Sequence, residues 1–304
     1  MKESEVIKSL FAGHLLPDDD CHFLPPDILV TTDSLVEGTH FLHNWSNAKQ
    51  LAEKLIEVNV SDITASGGIP TICFLNLGLS EVSKKDIWVK EFSQAFRNRL
   101  KFHKMQLVGG DTFYSKNTHL TLTAFGKTNQ PWTRSGALDG DYLYITGSIG
   151  DSELGLQCLK GKKRNSKFSA SIKKHLTPRS RALLLPFLSN YPIHACMDLT
   201  DGLIQDSERL AIASNGQIEI MMESLPISKL AYQHLGWDEV LGSGEELELL
   251  FFSDAKLPSK LGNVKITRIG TFKKIGTKKK PLRPVTFLLN GNNYIPQKIG
   301  YTHF

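Results

Sequence analysis

Hydrophobic and polar positions in the first half of the chain switch between two periods. Residues 28–32, Ile28-Leu29-Val30-Thr31-Thr32, form a short β-prone run that reads as a strand delivering Asp33 at its end. Residues 48–58 place Leu51, Leu55 and Val58 on one helical stripe, and Ser61-Asp62 follows where the chain continues toward the Gly67-Gly68 break. A strand over 73–79 and a helix over 85–104 come next. Residues 105–108 read as a strand ending in Gly109-Gly110-Asp111, and 119–125 as its alternating neighbour. A short amphipathic helix over 4–14 precedes them all.

Beyond Gly126 the segment Thr128-Asn129-Gln130-Pro131 is the best candidate linker, which sets a boundary at Trp132 and two parts, 1–131 and 132–304. The second part reads as helices over 180–188 and 203–214. Its strands are expected over 195–199, 217–221, 247–252, 266–270 and 285–289, with a start at Asp141 to Gly147. Alternating strands and helices imply a layered α/β or α+β protein, and 304 residues suffice for two domains that each bury a core. No repeat of solenoid period is evident.

Charge changes this picture little. The net +5 gathers in local runs, Lys160 to Arg164, Lys273-Lys274 and Lys278 to Lys280, which read as solvated loops and not as a nucleic-acid surface. The N-terminus enters an amphipathic helix, not an apolar signal core, and the run 182–188 is too short to span a bilayer and contains Pro186. A cytoplasmic protein with no membrane partner is expected. Cys21, Cys73, Cys158 and Cys196 show no close-pair spacing, so they read as buried free thiols instead of a zinc or redox site.

The candidate chemistry lies in aspartates set against glycine, serine and threonine: Asp18-Asp19-Asp20, Thr31-Thr32-Asp33, Ser61-Asp62, Gly109-Gly110-Asp111-Thr112 and Asp198-Leu199-Thr200-Asp201-Gly202. Carboxylates are hard oxygen donors, and magnesium takes a few of them together with waters and substrate phosphates. Their recurrence at strand ends therefore suggests a shared polyphosphate and multi-metal site in an ATP-using enzyme. Each segment alone has a plainer explanation. Gly109-Gly110-Asp111 fits a tight turn, Ser61-Asp62 a helix cap, and Arg134 a surface pair with Asp139 or Asp141. His40 alone would read as a structural histidine and Tyr301 as packing for the tail.

Taken together, in order and nearly end to end, these motifs resemble the thiamine-monophosphate kinases of the AIR-synthase-like superfamily. The resemblance runs through Pro17 to Cys21, Thr31 to Phe41, Asn59 to Asp62, Val108 to Thr112 and Arg134 to Ala137. It continues through Thr146 to Asp151, Met197 to Leu203, Gly244 to Leu250 and the terminal Gly300 to Phe304. It implies a two-domain AIR-synthase-like fold, with 1–131 an N-terminal ATP/magnesium-binding and dimerisation domain and 132–304 a C-terminal α/β domain. It further implies a homodimer whose N-terminal domains form a β-barrel, with active sites involving the interface. The implied reaction is ATP plus thiamine monophosphate giving ADP plus thiamine diphosphate. Magnesium ligands carried over are Asp20, Thr31, Thr32, Asp33, Asp62, Asp111, Asp198 and Asp201; ATP contacts are Gly110, Asp111, Arg134 and Thr200; substrate contacts are His40, Glu245 or Glu246, and Tyr301.

The chemistry agrees with that transfer. Two charged phosphates repel, so placing them in line needs several cations, which aspartates position without covalent chemistry. The acceptor is itself a phosphate, largely dianionic at neutral pH with a second pKa near ~6, so no general base is needed. A cationic thiazolium suits Glu245 and Tyr301, and Arg134 can offer a bidentate fork. Three departures from the family pattern stand out: Asp18 for a glycine, Glu246-Leu247 for Asp-Tyr, and Thr200 for a serine. The alternative readings are a sister ATP-dependent enzyme of the same superfamily, or a nucleotide- and metal-binding regulator without turnover.

Overall fold

The computed structural model describes residues 3–11, 19–161, 165–275 and 283–297. Asp18, Tyr301 and the basic stretches 162–164 and 278–280 lie outside the described residues.

The chain opens with α1 (Glu3–Leu10), then β1 (His22–Leu24), β2 (Ile28–Val36), α2 (Ala48–Ala65), β3 (Ile69–Leu79), α3 (Asp86–His103), β4 (Gln106–Tyr114) and β5 (His119–Lys127). These strands make one five-stranded sheet in the order β1-β2-β5-β3-β4, open at both edges. Alternation on β2 turns Leu29, Thr31 and Leu35 inward, where they are buried under α2. Helix α2 starts where Asn47 and Gln50 form a reciprocal capping box. Its Leu51, Leu55 and Ile63 join Phe92 and Phe96 of α3 over the sheet. Trp88, Phe92 and Phe96 stack at helical spacing, with ring centroids 5.0 and 5.7 Å apart. Fully buried side chains of this size contribute about 1.5–3 kcal/mol each.

The second half contains β6 (Tyr142–Thr146), α4 (Asp151–Lys160), α5 (Ser169–Leu176), α6 (Leu185–Leu188), β7 (Ala195–Asp198), α7 (Leu203–Ala213), β8 (Gly216–Met221), α8 (Lys229–His234) and α9 (Trp237–Leu241). The closing strands are β9 (Leu249–Ser253), β10 (Lys260–Leu261), β11 (Val264–Lys274), β12 (Val285–Leu289) and β13 (Asn292–Tyr294). They form a mixed sheet in the order β13-β12-β8-β11-β6-β9-β7, with β10 paired to β11. Both faces are covered, so β6, β9 and the edge strand β7 are apolar on each side. Leu143, Ile145, Met197 and Phe252 face α7 and its neighbours, whereas Tyr144, Cys196 and Phe251 face the opposite cluster, which includes Ala65 at the end of α2. Helix α2 therefore packs against both sheets.

Several expected boundaries shift. Helix α2 runs on past Val58 to Ala65, so Ser61 and Asp62 are helical residues in its last turns. Gly109-Gly110-Asp111 lies within β4 and does not end it, because β4 continues in parallel register beside β3 to Tyr114. The helix expected over 180–188 is a short 3-10 turn, Ala182–Leu184, followed by α6. All four cysteines are free and buried. No helix among the described residues is long and apolar enough to cross a membrane.

Candidate active site

Because α2 is held between the sheets, its last turns meet the end of β7 and the loop before β1. Asp20, Asp62 and Asp198 come together there, each offering a carboxylate oxygen within 4.8 Å of the others. Thr31 on β2 donates to Asp62 Oδ2 at 2.6 Å, and the Asn59 side chain accepts from the Asp33 amide at 3.1 Å. Arg134 spans the other side, with Nη2 at 2.5 Å and Nε at 3.2 Å from Asp20 Oδ1, while its amide bonds Asp19 at 2.7 Å. Arg134 thus pairs with Asp20, and Asp141 is taken by His194.

These groups line a cleft of about 720 Å³. Its apolar lining comes from Leu35, Phe41, Leu42, Trp45, Val58 and Leu156; His40, Lys54, His175 and Glu245 also line the cleft. His40 Nδ1 accepts the Val36 amide at 3.0 Å, so a neutral ring carries its proton on Nε2. Thr200 and Asp201 enter the cleft from the turn into α7. The buried Asp206 carboxylate holds that turn by accepting the amides of Thr200, Asp201 and Gly202 at 3.0, 3.0 and 3.1 Å. Arg209 binds Asp201 at 2.6 Å and Asp206 at 2.9 Å.

The electrostatics are those of a site with too much negative charge. Burial lifts the Asp62 carboxyl well above its usual range, and Asp33, Asp198 and Asp20 push it further while the Thr31 hydroxyl opposes. Burial and then Asp20 do the same to Asp198. Burial also raises Asp20, which the Arg134 guanidinium only partly offsets. Asp33 opens to the cleft, yet enclosure by its walls and the charges of Glu245, Asp201 and Asp20 push it up to about 7. Asp198 Oδ2 is buried without a hydrogen-bond partner. A buried carboxylate oxygen left unpaired beside two more carboxylates suits a hard divalent cation.

The family signature of the AIR synthase related protein, N-terminal domain, matches residues 18–128. A thiamine-monophosphate kinase of Leptospira interrogans serogroup Icterohaemorrhagiae serovar Lai (strain 56601) is 43% identical over 307 residues, spanning 100% of this chain and 98% of that protein. The chain belongs to the thiamine-monophosphate kinase family. Its fold agrees with that of family members of known structure. The thiamine monophosphate kinase of Aquifex aeolicus superposes with a TM-score of 0.84 at 29% identity, covering 97% of each chain. AaThiL complexed with AMPPCP and TMP gives a TM-score of 0.85 at 29% identity, covering 100% of this chain and 97% of that one.

The family's motif residues do not all converge in this chain. Asp20, Thr31, Asp33, Asp62, Arg134, Asp198, Thr200 and Asp201 all line the cleft, as do His40 and Glu245. Thr32 borders the cleft, but its hydroxyl meets Thr123 at 3.1 Å on the opposite face of the sheet. Glu246 is fully buried behind the cleft, where it accepts the amides of Gly150 and Ser152 at 2.7 and 3.2 Å and so holds the start of α4. Gly110 and Asp111 lie on the exposed edge strand β4, outside this cleft. At Gly110 a Cβ would fall 1.8 Å from the Leu75 carbonyl, so close approach of β3 accounts for the missing side chain.

Sequence reasoning passed over Lys54, His175, Asp206 and Arg209. Lys54 carries a legible signal, since it falls three residues after Leu51 and four before Val58, within an apolar stripe. Asp206 and Arg209 look like ordinary helix-surface charges until the preceding turn folds back on them.

Proposed function

We propose that this chain transfers the γ-phosphoryl group of ATP to thiamine monophosphate, giving ADP and thiamine diphosphate in the cytoplasm. One observation carries the reading: a single cleft is lined both by the Asp20, Asp62 and Asp198 cluster and by apolar side chains, in a member of this family. The similar AaThiL, solved with AMPPCP and TMP, supports the same pairing of ligands.

Asp20, Asp62 and Asp198 would hold magnesium, with Asp33 and Asp201 beside them and Thr31 orienting Asp62. Magnesium held there neutralises the mutual repulsion of donor and acceptor phosphates. Thr32, whose hydroxyl is committed to Thr123, is left out of this set. Arg134 lies within reach of the same phosphates and can exchange its pairing with Asp20 for a fork on a phosphate. Thr200 offers a hydroxyl on a turn already fixed by Asp206. An acceptor phosphate oxygen forms the new bond to the γ-phosphorus as the bond to the β-bridging oxygen breaks, leaving ADP. The acceptor arrives ionised, so none of the carboxylates has to act as a base. His40 and Glu245 then face the organic part, where Glu245 suits a cationic ring.

Asp111 and Gly110 join this reading through a homodimer. All nine residues of β4 are exposed, including Leu107, Val108 and Phe113, an unpaired and partly apolar sheet edge of the kind that association covers. Two such sheets closing into a barrel would carry each Asp111 toward a neighbouring copy's cleft.

The test is ADP release by the purified protein with magnesium and ATP. Thiamine monophosphate should support turnover, and unphosphorylated thiamine should not, because a hydroxyl nucleophile needs a base that the cleft does not assign. Comparable release with both acceptors would overturn the mechanism, and release with neither would overturn the activity.

A further inference from the structure

Lys54 is 4% exposed, yet its side chain borders the cleft. Its ammonium lies 2.8 Å from Glu245 Oε2 and 3.4 Å from the His175 carbonyl. Glu245 itself sits on a backbone that side chains rarely adopt, with φ 58°, followed by Leu247 at φ 51°. Main-chain bonds from Glu245 and Leu247 to the carbonyls of Thr200 and Leu199, at 2.8 and 3.0 Å, hold that backbone. They leave the carboxylate free to turn. Asp33 and Asp201 lie close enough to share their negative charge with the same space. Burial would lift the Glu245 carboxyl, and the Lys54 charge, ahead of His175 and His40, turns the shift downward.

We propose that Lys54 is a positioning residue for the acceptor: its ammonium holds the Glu245 carboxylate in the wall of the cleft that the carboxylate cluster also lines. A molecule that joins a phosphate to a cationic ring would meet both the cluster and Glu245, so a displaced Glu245 should cost affinity chiefly for the acceptor. ATP, for which Glu245 is not an assigned contact, should sense it far less. This inference rests on the function proposed above.

Steady-state kinetics of the full-length protein test it with Lys54→Met, Lys54→Arg, Glu245→Gln and the Lys54→Met/Glu245→Gln pair. Lys54→Met keeps the stem and removes the charge. It should raise KM for thiamine monophosphate about tenfold, with kcat and KM for ATP changed by less than about threefold. Lys54→Arg should recover most of the loss. In the Glu245→Gln background Lys54→Met should add less than about twofold, since the carboxylate it positions is gone. Additive effects of the two substitutions, an equal rise in KM for ATP, or unchanged kinetics in an active folded Lys54→Met protein would each overturn the proposal. Should Lys54→Met fail to fold by circular dichroism, Lys54→Gln in the Glu245→Gln background answers the same question, because that pair is neutral on both sides. A wild-type protein without activity on thiamine monophosphate would instead sink the proposed function, so the two failures are distinguishable.

Discussion

Glu57 and Asp198 are both buried carboxylates, and they keep opposite company. Glu57, on α2 and fully buried, accepts from Arg99, from His103 Nε2 at 2.9 Å and from the Ser180 amide at 2.7 Å, with Arg179 3.6 Å away. Burial alone would raise its pKa, but the His103 bond and the Arg99 charge reverse this and hold it at about 2. Asp198 has carboxylates for neighbours, an oxygen without a hydrogen-bond partner and a pKa driven well up by burial and Asp20, which the single Arg134 guanidinium does not offset. Burial is common to both; what differs is whether the fold supplies the counter-charge. A carboxylate with its own cations is finished structure, whereas one without them is a socket for something brought from outside.

Exchanging the charged group for its amide should split the two regions most sharply. Asp62→Asn is expected to lower turnover about a thousandfold or more, the equivalent of several kcal/mol of lost metal-assisted stabilisation. Its melting temperature should hold or rise, because the repulsion from Asp33, Asp198 and Asp20 is relieved. Near-normal turnover, or a collapse in stability, would erase the distinction. Glu57→Gln should do the reverse, costing about 3–5 kcal/mol in urea unfolding because half-buried Arg99 and buried His103 lose their partner. Turnover per folded molecule should stay within about twofold.

Magnesium sharpens the same contrast with a smaller signal. At a hundredfold excess over its dissociation constant a ligand adds about 2.7 kcal/mol to stability, enough to raise the melting temperature by several degrees. That rise is expected in the wild type and in Glu57→Gln, and should shrink or vanish in Asp198→Asn. Equal rises in all three would place the cation elsewhere.

The effect in pH is the smallest over the range in which the protein would normally be assayed. The folded Glu57 carboxyl sits at about 2 against an ordinary 4.5, so its contribution is complete above pH 4.5 and is lost as the pH falls through about 2. The stability difference between wild type and Glu57→Gln should therefore be flat above pH 4.5 and shrink by up to about 3 kcal/mol below it. A difference that grows on acidification would contradict the assignment.

Much of this was legible in the chain, and the misreadings have physical causes. Asp33 and Asp198 are legible because a β-prone or apolar run leads into a carboxylate, which has no business there unless it is used; β2 nevertheless runs on past Asp33 to Val36, paired with β5 throughout. The helical end of α2 was read short because Asn59, Ser61 and Asp62 are weak helix formers; tertiary packing of Val60, Ile63 and Ala65 against both sheets overrides that preference. Gly109-Gly110-Asp111 looks like a turn, yet the glycine there serves the approach of Leu75 within a strand. Glu245 and Glu246 are adjacent and chemically alike, and only the positive φ at Glu245 decides that one faces the cleft and the other α4.

Helix α2 carries Lys54, Glu57 and Asp62 on one unbroken rod. Each residue advances the helix by about 100°. A substitution here stays local, but a single residue inserted or deleted between Glu57 and Asp62 would swing Asp62 away from Asp20 and Asp198 while Glu57 kept its cations. The protein would still close its core on one side and would lose its cluster on the other. Length itself is therefore a constraint on this helix, of a kind that no scan of single replacements would reveal.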